Sequence, residues 1–449
     1  MKLQLHKLTS YWHKLTSGST NRKIFGAAVI VAALTTIVKT ASTLKELVVA
    51  WKFGTGDSLD AFLIALVVPA FITNVVADSF NAALIPVYIK VREQQGNKAA
   101  QRLFSGTTVL GSALLLVTTT VVVATAPLYL PLIASGFSLK KLNLTIHLLY
   151  ALSPIILLSG IINIWAAILN AGERFALAAF SPIITPTITI IFLLIAQSWG
   201  SFALVAGLVG GELLEIVLLG VALRRQGISL LPKWHGLDTN LHQVASQYAP
   251  KMTGAFLMCS SGIVDQSMAA MLLPGSVASL NYGNRVSALP ITLITTALSA
   301  AIIPYFSKMV TLKDWAGIRN TLKHYMRLVF ATTLPLTALL IIFSELIVQT
   351  LFQRGSFTAQ DTQLVAQIQN CFALQIPFYV GCILIVKLVE SMQFNYILVW
   401  VSMLNLLNNI VFNYLFSQWI GVKGIALSTS FVYIFSFLFL FFFIKNKLK

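Results

Sequence analysis

Charged residues are scarce in this sequence. Only 10% of its 449 residues are charged, whereas 57% are hydrophobic. A soluble protein keeps about 25% of its residues charged, so a chain with this composition cannot present most of its surface to water. The sequence therefore excludes an ordinary soluble globular protein and predicts a chain embedded in lipid.

Long polar connections are also missing. After residues 1–23, the longest polar stretch is 224–243, so no soluble domain fits between the apolar segments. A helix that crosses a bilayer needs about 20 predominantly apolar residues, and twelve segments meet that need. We predict an all-α polytopic membrane protein with about twelve transmembrane helices. The predicted segments are 24–51, 59–89, 103–134, 143–169, 176–198, 201–223, 244–273, 276–307, 325–351, 361–388, 394–417 and 421–444.

Cysteine and histidine are scarce, with three and six copies respectively. Cys259, Cys371 and Cys382 all fall in apolar segments, so they indicate no disulfide framework. No histidine stands in a metal-binding spacing such as H-E-x-x-H. The sequence therefore predicts no metal centre, no cofactor and no catalytic group.

The charges that are present are mostly basic, with 31 Lys and Arg against 14 Asp and Glu. If the N-terminus is cytoplasmic and the segments alternate, 22 of these cations fall in cytoplasmic pieces and five in outer loops. That asymmetry is the positive-inside signal of membrane proteins, and it explains the basicity without nucleic acid as a partner. It predicts that both termini are cytoplasmic and that 1–23 is a retained basic extension, not a cleaved signal.

The second half of the chain repeats features of the first. Chance recurrence is one alternative, because membrane helices tolerate proline. Two of the recurring prolines also precede basic loops, which favours duplication of a six-helix unit around a central cavity. We predict an N-terminal six-helix bundle over 24–225, a cytoplasmic linker over 226–243 and a C-terminal six-helix bundle over 244–449. The recurring pairs are Pro69 with Pro290, Pro86 with Pro304, and Pro154 with Pro377.

Four basic residues fall inside predicted spans, namely Lys39, Lys45, Lys251 and Arg285. A charge at the bilayer centre costs about 2.5–3.5 kcal/mol on insertion scales and usually marks function. Lys39 lies deep in the first segment, so we interpret it as functional. Lys45 and the adjacent Glu46 have two equal readings, a charged site or a solvated pair at the membrane interface.

Three other charged residues of interest lie in segments 2, 7 and 8. Asp60 opens segment 2, where a carboxylate at the third helical position favours its own helix dipole. Arg285, near the start of segment 8, offers a guanidinium suited to bidentate phosphate binding. Asp265 lies deep in segment 7 without a basic residue nearby in sequence.

Asparagines on segment 11 form a row. Asn405, Asn409 and Asn413 recur every four residues and so share one helix face. Such rows often serve hydrogen bonding between membrane helices. The alternative is a cation site that includes Asp265.

Several stretches of the chain resemble the MurJ/MviN family, the lipid II flippases of the MOP exporter superfamily. The resemblance covers about residues 24–445 and is most specific in segments 7 and 8. It rests on Lys45-Glu46, Phe53-Gly-Thr-Gly-Asp-Ser-Leu-Asp-Ala-Phe62, Pro69, Ala77-Asp-Ser-Phe-Asn-Ala-Ala-Leu-Ile-Pro86, Ile263-Val-Asp-Gln266, Gly275-Ser-Val277, Leu280-Asn-Tyr282, Asn284-Arg285, Pro290 and Leu351-Phe-Gln-Arg-Gly-Ser-Phe-Thr358.

The resemblance implies the MOP flippase fold and a basic cavity that holds the pyrophosphate of a polyprenyl-linked saccharide. It also implies coupling to Na⁺ or to the membrane potential, and a place in the bacterial inner membrane for peptidoglycan synthesis. The implied substrate-binding residues are Lys39, Lys45, Glu46, Asp60 and Arg285. The implied ion-binding residues are Asp265, Asn405, Asn409 and Thr429.

The sequence leaves rival functions open. A flippase for another lipid-linked glycan, of the O-antigen or capsule type, suits twelve helices equally well. A cation-coupled drug exporter needs an acidic cavity, whereas the charges here are net basic. A membrane glycosyltransferase or polysaccharide ligase needs a catalytic group on a sizeable outer loop, and the outer loops are short, so we predict that the protein is not an enzyme. The expected partners are the lipid-linked saccharide and membrane lipids.

Overall fold

A computed structural model of the chain describes residues 20–231, 233–234 and 236–448. Side chains are described from residue 30 onward, except those of residues 81, 82, 297, 300 and 301. The predicted extension 1–23 therefore lies outside the described residues up to residue 19. The described chain is helical and its secondary structure contains no strand.

The described residues form twelve helices, some of which are interrupted. Each coincides with one predicted segment. They are α1 Thr20–Phe53, α2 Asp57–Gln95, α3 Asn97–Ile133, α4 Leu139–Ala171, α5 Phe175–Ile195, α6 Phe202–Arg225, α7 Thr239–Ala270, α8 Ser276–Thr311, α9 Trp315–Ile342 with its continuation Ser344–Phe352, α10 Ala359–Ser391, α11 Asn395–Ile420 and α12 Val422–Lys447.

Nine of these helices are long and apolar enough to cross a membrane, as judged over the described residues. The other three are α1, α7 and α8, which carry all four of the basic residues that were predicted to lie inside spans. The protein is thus an all-α, multi-pass membrane protein, as predicted. Four of the five predicted substrate-binding residues lie on α1 and α8, whereas Asp60 lies on α2.

The paired prolines occupy matching positions in the helices. Pro69 and Pro86 lie inside α2, and Pro290 and Pro304 lie inside α8. Pro154 and Pro377 instead stand in the first turn of a new helical segment, within α4 and α10 respectively. Proline fits there because the first amide groups of a helix lack an intrahelical acceptor. The division into two six-helix bundles stays a prediction.

Helix α2 contains a π-helical turn at Thr73–Ala77. Such turns insert extra backbone into an α-helix and often occur at functional sites. The turn begins four residues after Pro69, which cannot donate a hydrogen bond to the helix. Nothing in the sequence analysis predicted this irregularity.

Contacts group the chain into two compact units that alternate along the sequence. Unit 1 comprises the described residues of Met1–Val48, Ile72–Val123 and Ala151–Met252. Unit 2 comprises Val49–Phe71, Ala124–Tyr150 and the described residues of Thr253–Lys449.

Glycines let α5 and α6 approach closely within unit 1. A Cβ atom on Gly207 would lie 2.5 Å from the Cα of Thr189, and one on Gly211 would lie 2.6 Å from the Cα of Thr185. Small residues spaced four apart are a common way to pack membrane helices without a hydrophobic driving force. This packing places Glu215, four residues after Gly211, against the hydroxyl groups of α5.

Candidate functional site

The predicted substrate-binding residues are divided between the units. Lys39, Lys45 and Glu46 belong to unit 1, whereas Asp60 and Arg285 belong to unit 2. Lys39 and Arg285 both have exposed side chains. Whether the five residues act on one ligand stays a prediction.

Lys45 and Glu46 form an ion pair. The Lys45 Nζ lies 2.9 Å from the Glu46 carboxylate, and the two side chains are 21% and 18% exposed. A half-buried pair of this kind is screened less by salt than a fully exposed one. Glu46 therefore balances the positive charge of Lys45 in the part of α1 that belongs to unit 1.

Asp60 is the centre of a polar cluster in unit 2, which we call the Asp60 cluster and define as Asp57, Asp60, Lys141, Gly275 and Ala278. Asp60 is 1% exposed. Its carboxylate accepts hydrogen bonds from the backbone N–H groups of Gly275 at 2.7 Å and Ala278 at 2.8 Å. It also lies 2.8 Å from the Lys141 ammonium group.

These bonds show that Asp60 caps a helix other than its own. Gly275 is the N-cap residue of α8, and Ala278 is the third residue of that helix. The first N–H groups of a helix have no intrahelical acceptor, and a carboxylate there also complements the helix dipole. The sequence suggested this chemistry for Asp60, but on the N-terminus of α2. The structure applies it to the N-terminus of α8.

Sequence reasoning missed Lys141, which it counted among the cations of an outer loop. Lys141 is 9% exposed and lies near the start of α4. Its ammonium group lies 2.6 Å from Asp57 and 4.0 Å from the centre of the Phe137 ring. The sequence carries no signal that distinguishes it from its exposed neighbour Lys140.

Two of the motifs that resemble the family, beginning at Phe53 and at Leu351, contact each other through their backbones near the Asp60 cluster. The N–H of Ser356 donates to the carbonyl of Trp51 at 2.9 Å. A Cβ atom on Gly54 would lie 2.3 Å from the Ser356 carbonyl oxygen, and one on Gly355 would lie 2.3 Å from the Trp51 carbonyl oxygen. The motifs beginning at Phe53 and Leu351 thus hold glycines where two backbones of unit 2 touch.

Asp265 is the centre of a second cluster in unit 2, the Asp265 cluster of Asp265, Asn409 and Asn413. The side-chain amides of Asn409 and Asn413 donate to one Asp265 oxygen at 2.9 and 2.7 Å. Asn413 is fully buried, and its carbonyl oxygen Oδ1 has no hydrogen-bond partner among the described residues. Carboxylate and amide oxygens are the ligands that hard cations prefer, and whether this cluster binds an ion stays a prediction.

Two predicted ion-binding residues lie outside this cluster. Asn405 accepts a hydrogen bond from the Ser436 hydroxyl. The Thr429 hydroxyl donates to the Ile425 carbonyl of its own helix at 3.2 Å. Asn413, which the sequence analysis noted in the asparagine row but did not assign, occupies the position beside Asp265.

Unit 1 contains a pair of glutamates that sequence reasoning also missed. Glu212 accepts a hydrogen bond from Ser159 at 2.7 Å, and Glu215 accepts one from Ser181 at 2.8 Å. Glu215 is 4% exposed and lies against a cavity of about 940 Å³ that Arg92 also lines. The rule that flagged Lys39, an ionisable side chain inside an apolar helix, applies equally to these two residues.

Comparison of the sequence identifies one family, and the fold is shared with solved structures of that family and of a multidrug resistance MATE family transporter, the latter with a TM-score of 0.79 at 12% identity over 94% of this chain and 98% of that one. The family model described as "Lipid II flippase MurJ" matches residues 49–449. A probable lipid II flippase MurJ of Synechocystis sp. is 26% identical over 428 residues, which cover 92% of this chain and 80% of the relative. A probable lipid II flippase MurJ of Rickettsia prowazekii is 25% identical over 369 residues, covering 80% and 71% respectively. The fold matches a solved lipid II flippase MurJ in its inward closed conformation, with a TM-score of 0.81 at 22% identity over 93% of this chain and 87% of that one.

Proposed function

The chain belongs to the lipid II flippase MurJ family, and on that premise we propose that it moves a polyprenyl-pyrophosphate-linked saccharide, lipid II for peptidoglycan synthesis, across the inner membrane by alternating access. The observation that carries the proposal is the family match over residues 49–449. The multi-pass helical fold supports it, because moving a lipid-linked molecule between leaflets requires helices that cross the membrane, and nine of the described helices are long and apolar enough to do so.

The proposal assigns the anionic pyrophosphate to the basic residues of the spans. Lys39 of α1 and Arg285 of α8 both have exposed side chains. Arginine binds phosphate in a bidentate manner, and lysine attracts it as a point charge. Glu46 keeps Lys45 compensated when no substrate is present.

In the same proposal, the Asp265 cluster is the site at which ion binding is coupled to transport. Asp265, Asn409 and Asn413 would hold a Na⁺ ion, and the unpartnered Asn413 oxygen supports this assignment. When bound, the ion would supply a positive charge that offsets the buried carboxylate. The proposal also places both termini in the cytoplasm, which the distribution of Lys and Arg supports.

A transport assay combined with complementation tests the proposed function. We expect Arg285→Ala and Lys39→Ala each to lower the rate of lipid II flipping in proteoliposomes about tenfold or more, because each removes a charge-assisted contact to phosphate. Lys98→Ala, which changes an exposed cation in the first turn of α3, is the matched control and should transport normally.

Depletion of the protein in its own cell distinguishes the glycans. Lysis with accumulation of lipid II is the expected result. Loss of a surface polysaccharide without lysis would show that the substrate is another lipid-linked glycan. Undiminished flipping in both variants would reject Lys39 and Arg285 as the substrate site.

A further inference from the structure

The Asp60 cluster joins parts of the chain that are far apart in sequence but lie in one unit. Asp57 and Asp60 come from the start of α2 and Lys141 from the start of α4, whereas Gly275 and Ala278 form the N-terminus of α8. The cluster therefore attaches α8 to a pair of helices, α2 and α4, that also contact each other through an ion pair.

The bonds of Asp60 fall into two kinds. Its two bonds to α8 come from neutral backbone N–H groups. Its bond to α4 comes from a charged ammonium group at 2.8 Å. If α8 withdraws, the carboxylate loses both N–H donors but keeps the cation. Without that cation, the same movement would leave a buried charge unpaired, which is strongly unfavourable.

The surroundings of Lys141 keep it in position for this role. Its ammonium group has three donors, and Asp57, Asp60 and the face of the Phe137 ring lie in contact with it. Asp57 is 63% exposed, whereas Asp60 is 1% exposed. Lys141 is thus paired with one exposed carboxylate and one buried carboxylate.

We propose that Lys141 is the counter-ion that allows the contact between Asp60 and the N-terminus of α8 to form and break reversibly. It is a positioning residue: it keeps Asp60 ionised and oriented while α8 is attached, and it compensates Asp60 while α8 is detached. The proposal rests on the proposed function in one respect, that alternating access moves helices relative to one another.

Few other charged groups contribute to this contact within the described residues. Asp57 shares the helix of Asp60, Lys141 comes from α4, and α8 contributes the peptide groups of its first turn. Asp361 of α10 contacts the turn before α2, but its carboxylate accepts hydrogen bonds from the hydroxyl groups of Thr55 and Thr358. Lys141 therefore supplies the positive charge that Asp60 contacts directly.

Thiol labelling measures the contact without any substrate. Ser276 is 4% exposed and is the first residue of α8, so Ser276→Cys in a background whose three native cysteines are replaced reports detachment of that turn. The labelling rate of the purified protein is measured between pH 8 and pH 5.5 with Lys141, Lys141→Met, Lys141→Gln and Lys141→Arg. Each rate is divided by the rate of an exposed reference cysteine at the same pH, because the reactive thiolate fraction itself falls with pH. Lys140→Met is the matched control, because it removes the exposed neighbouring cation.

With Lys141 or Lys141→Arg, we expect slow labelling that changes little with pH. With Lys141→Met or Lys141→Gln, Asp60 has lost its cation and takes up a proton as the pH falls, which weakens its bonds to α8. Labelling should then rise by up to about tenfold per pH unit. Adding Asp60→Asn to Lys141→Met should abolish the pH dependence, because no carboxylate remains to be protonated.

A purely structural role for Lys141 predicts other results. Labelling that is fast at every pH in Lys141→Met and in Lys141→Arg alike would overturn the proposal. So would a Lys141→Met profile as flat and slow as that of the Lys140→Met control, or a pH dependence that survives Asp60→Asn. Because the assay contains no lipid-linked saccharide, these outcomes do not depend on whether lipid II is the substrate.

Discussion

Gly275 has a backbone conformation and a close backbone contact that both disfavour a side chain. Its φ of 84° is in the left-handed region, and a Cβ atom there would lie 2.6 Å from the Thr55 carbonyl oxygen. A side chain at this position would therefore strain the backbone and also separate α8 from the turn before α2. The N–H that Gly275 donates to Asp60 depends on that close approach.

We expect Gly275→Ala to lower the free energy of unfolding by about 1–3 kcal/mol for the strained backbone, and further for the clash. Gly227→Ala is the matched control, since Gly227 has a φ of 76° but a Cβ atom there would meet no atom within 4 Å. Thermal unfolding in detergent compares the two. Equal losses of stability would show that the approach to Thr55 contributes nothing.

At the residue scale, sequence reasoning grouped Asp265 with Asn409, which the structure places in contact, but it could not assign the partners of Asp60. The partner of Asp60 is a helix N-terminus that is more than 200 residues away in the chain, and backbone N–H groups leave no signature in residue types. Lys141 was missed because burial depends on which face of a helix packs inward. Glu212 and Glu215 could have been predicted from the sequence, since the cost of burying an acid in an apolar helix applies to them as well.

Helix α10 begins with a capping box, in which Thr358 and Asp361 bond each other's backbone N–H groups. Asp361 also accepts a hydrogen bond from the Thr55 hydroxyl in the turn before α2. The same carboxylate therefore caps its own helix and ties α10 to another part of unit 2. Helix α9 has a simpler start, where Asp314 accepts one bond from the Gly317 N–H at 2.8 Å.

This difference gives a prediction for two helix caps. Asp314→Ala should destabilise the protein by about 1 kcal/mol, the usual loss for an N-cap. Asp361→Ala should cost about 1 kcal/mol more, because the bond to Thr55 is lost as well. Thermal unfolding of both variants, and of Thr55→Val, measures the difference. If Thr55→Val has no effect, the link between α10 and the turn before α2 does not stabilise the fold.

At the element scale, the twelve predicted segments all correspond to helices, because long apolar runs are the strongest signal in a membrane protein. The ends were less predictable: α2 was expected over 59–89 and extends over Asp57–Gln95. The polar ends of such helices continue past the bilayer, where hydropathy no longer indicates where they stop. The π-helical turn in α2 also has no signature in composition.

At the scale of the whole molecule, ion binding is linked to stability. If the Asp265 cluster binds Na⁺ in the folded protein alone, Na⁺ should stabilise it by about 1.4 kcal/mol at ten times the Kd. The melting temperature should therefore rise with NaCl relative to KCl, and Asp265→Asn should abolish the rise.

Asp78→Asn is the matched control for this prediction. Asp78 also accepts a hydrogen bond from an asparagine amide, that of Asn163 at 2.8 Å, but it belongs to unit 1. The Na⁺-dependent rise should persist in this variant. If it persists in Asp265→Asn too, the cation binds elsewhere.

The backbone contacts around Gly54 and Gly355 affect how the family can diverge. A contact made of carbonyl and N–H groups does not depend on side-chain identity, so most substitutions at Trp51 or Ser356 leave its hydrogen bond intact. The close approach does depend on glycine, because a Cβ atom on Gly54 or on Gly355 would lie 2.3 Å from a carbonyl oxygen of the other segment. A relative with glycine at both positions can therefore vary the neighbouring side chains and still form this junction.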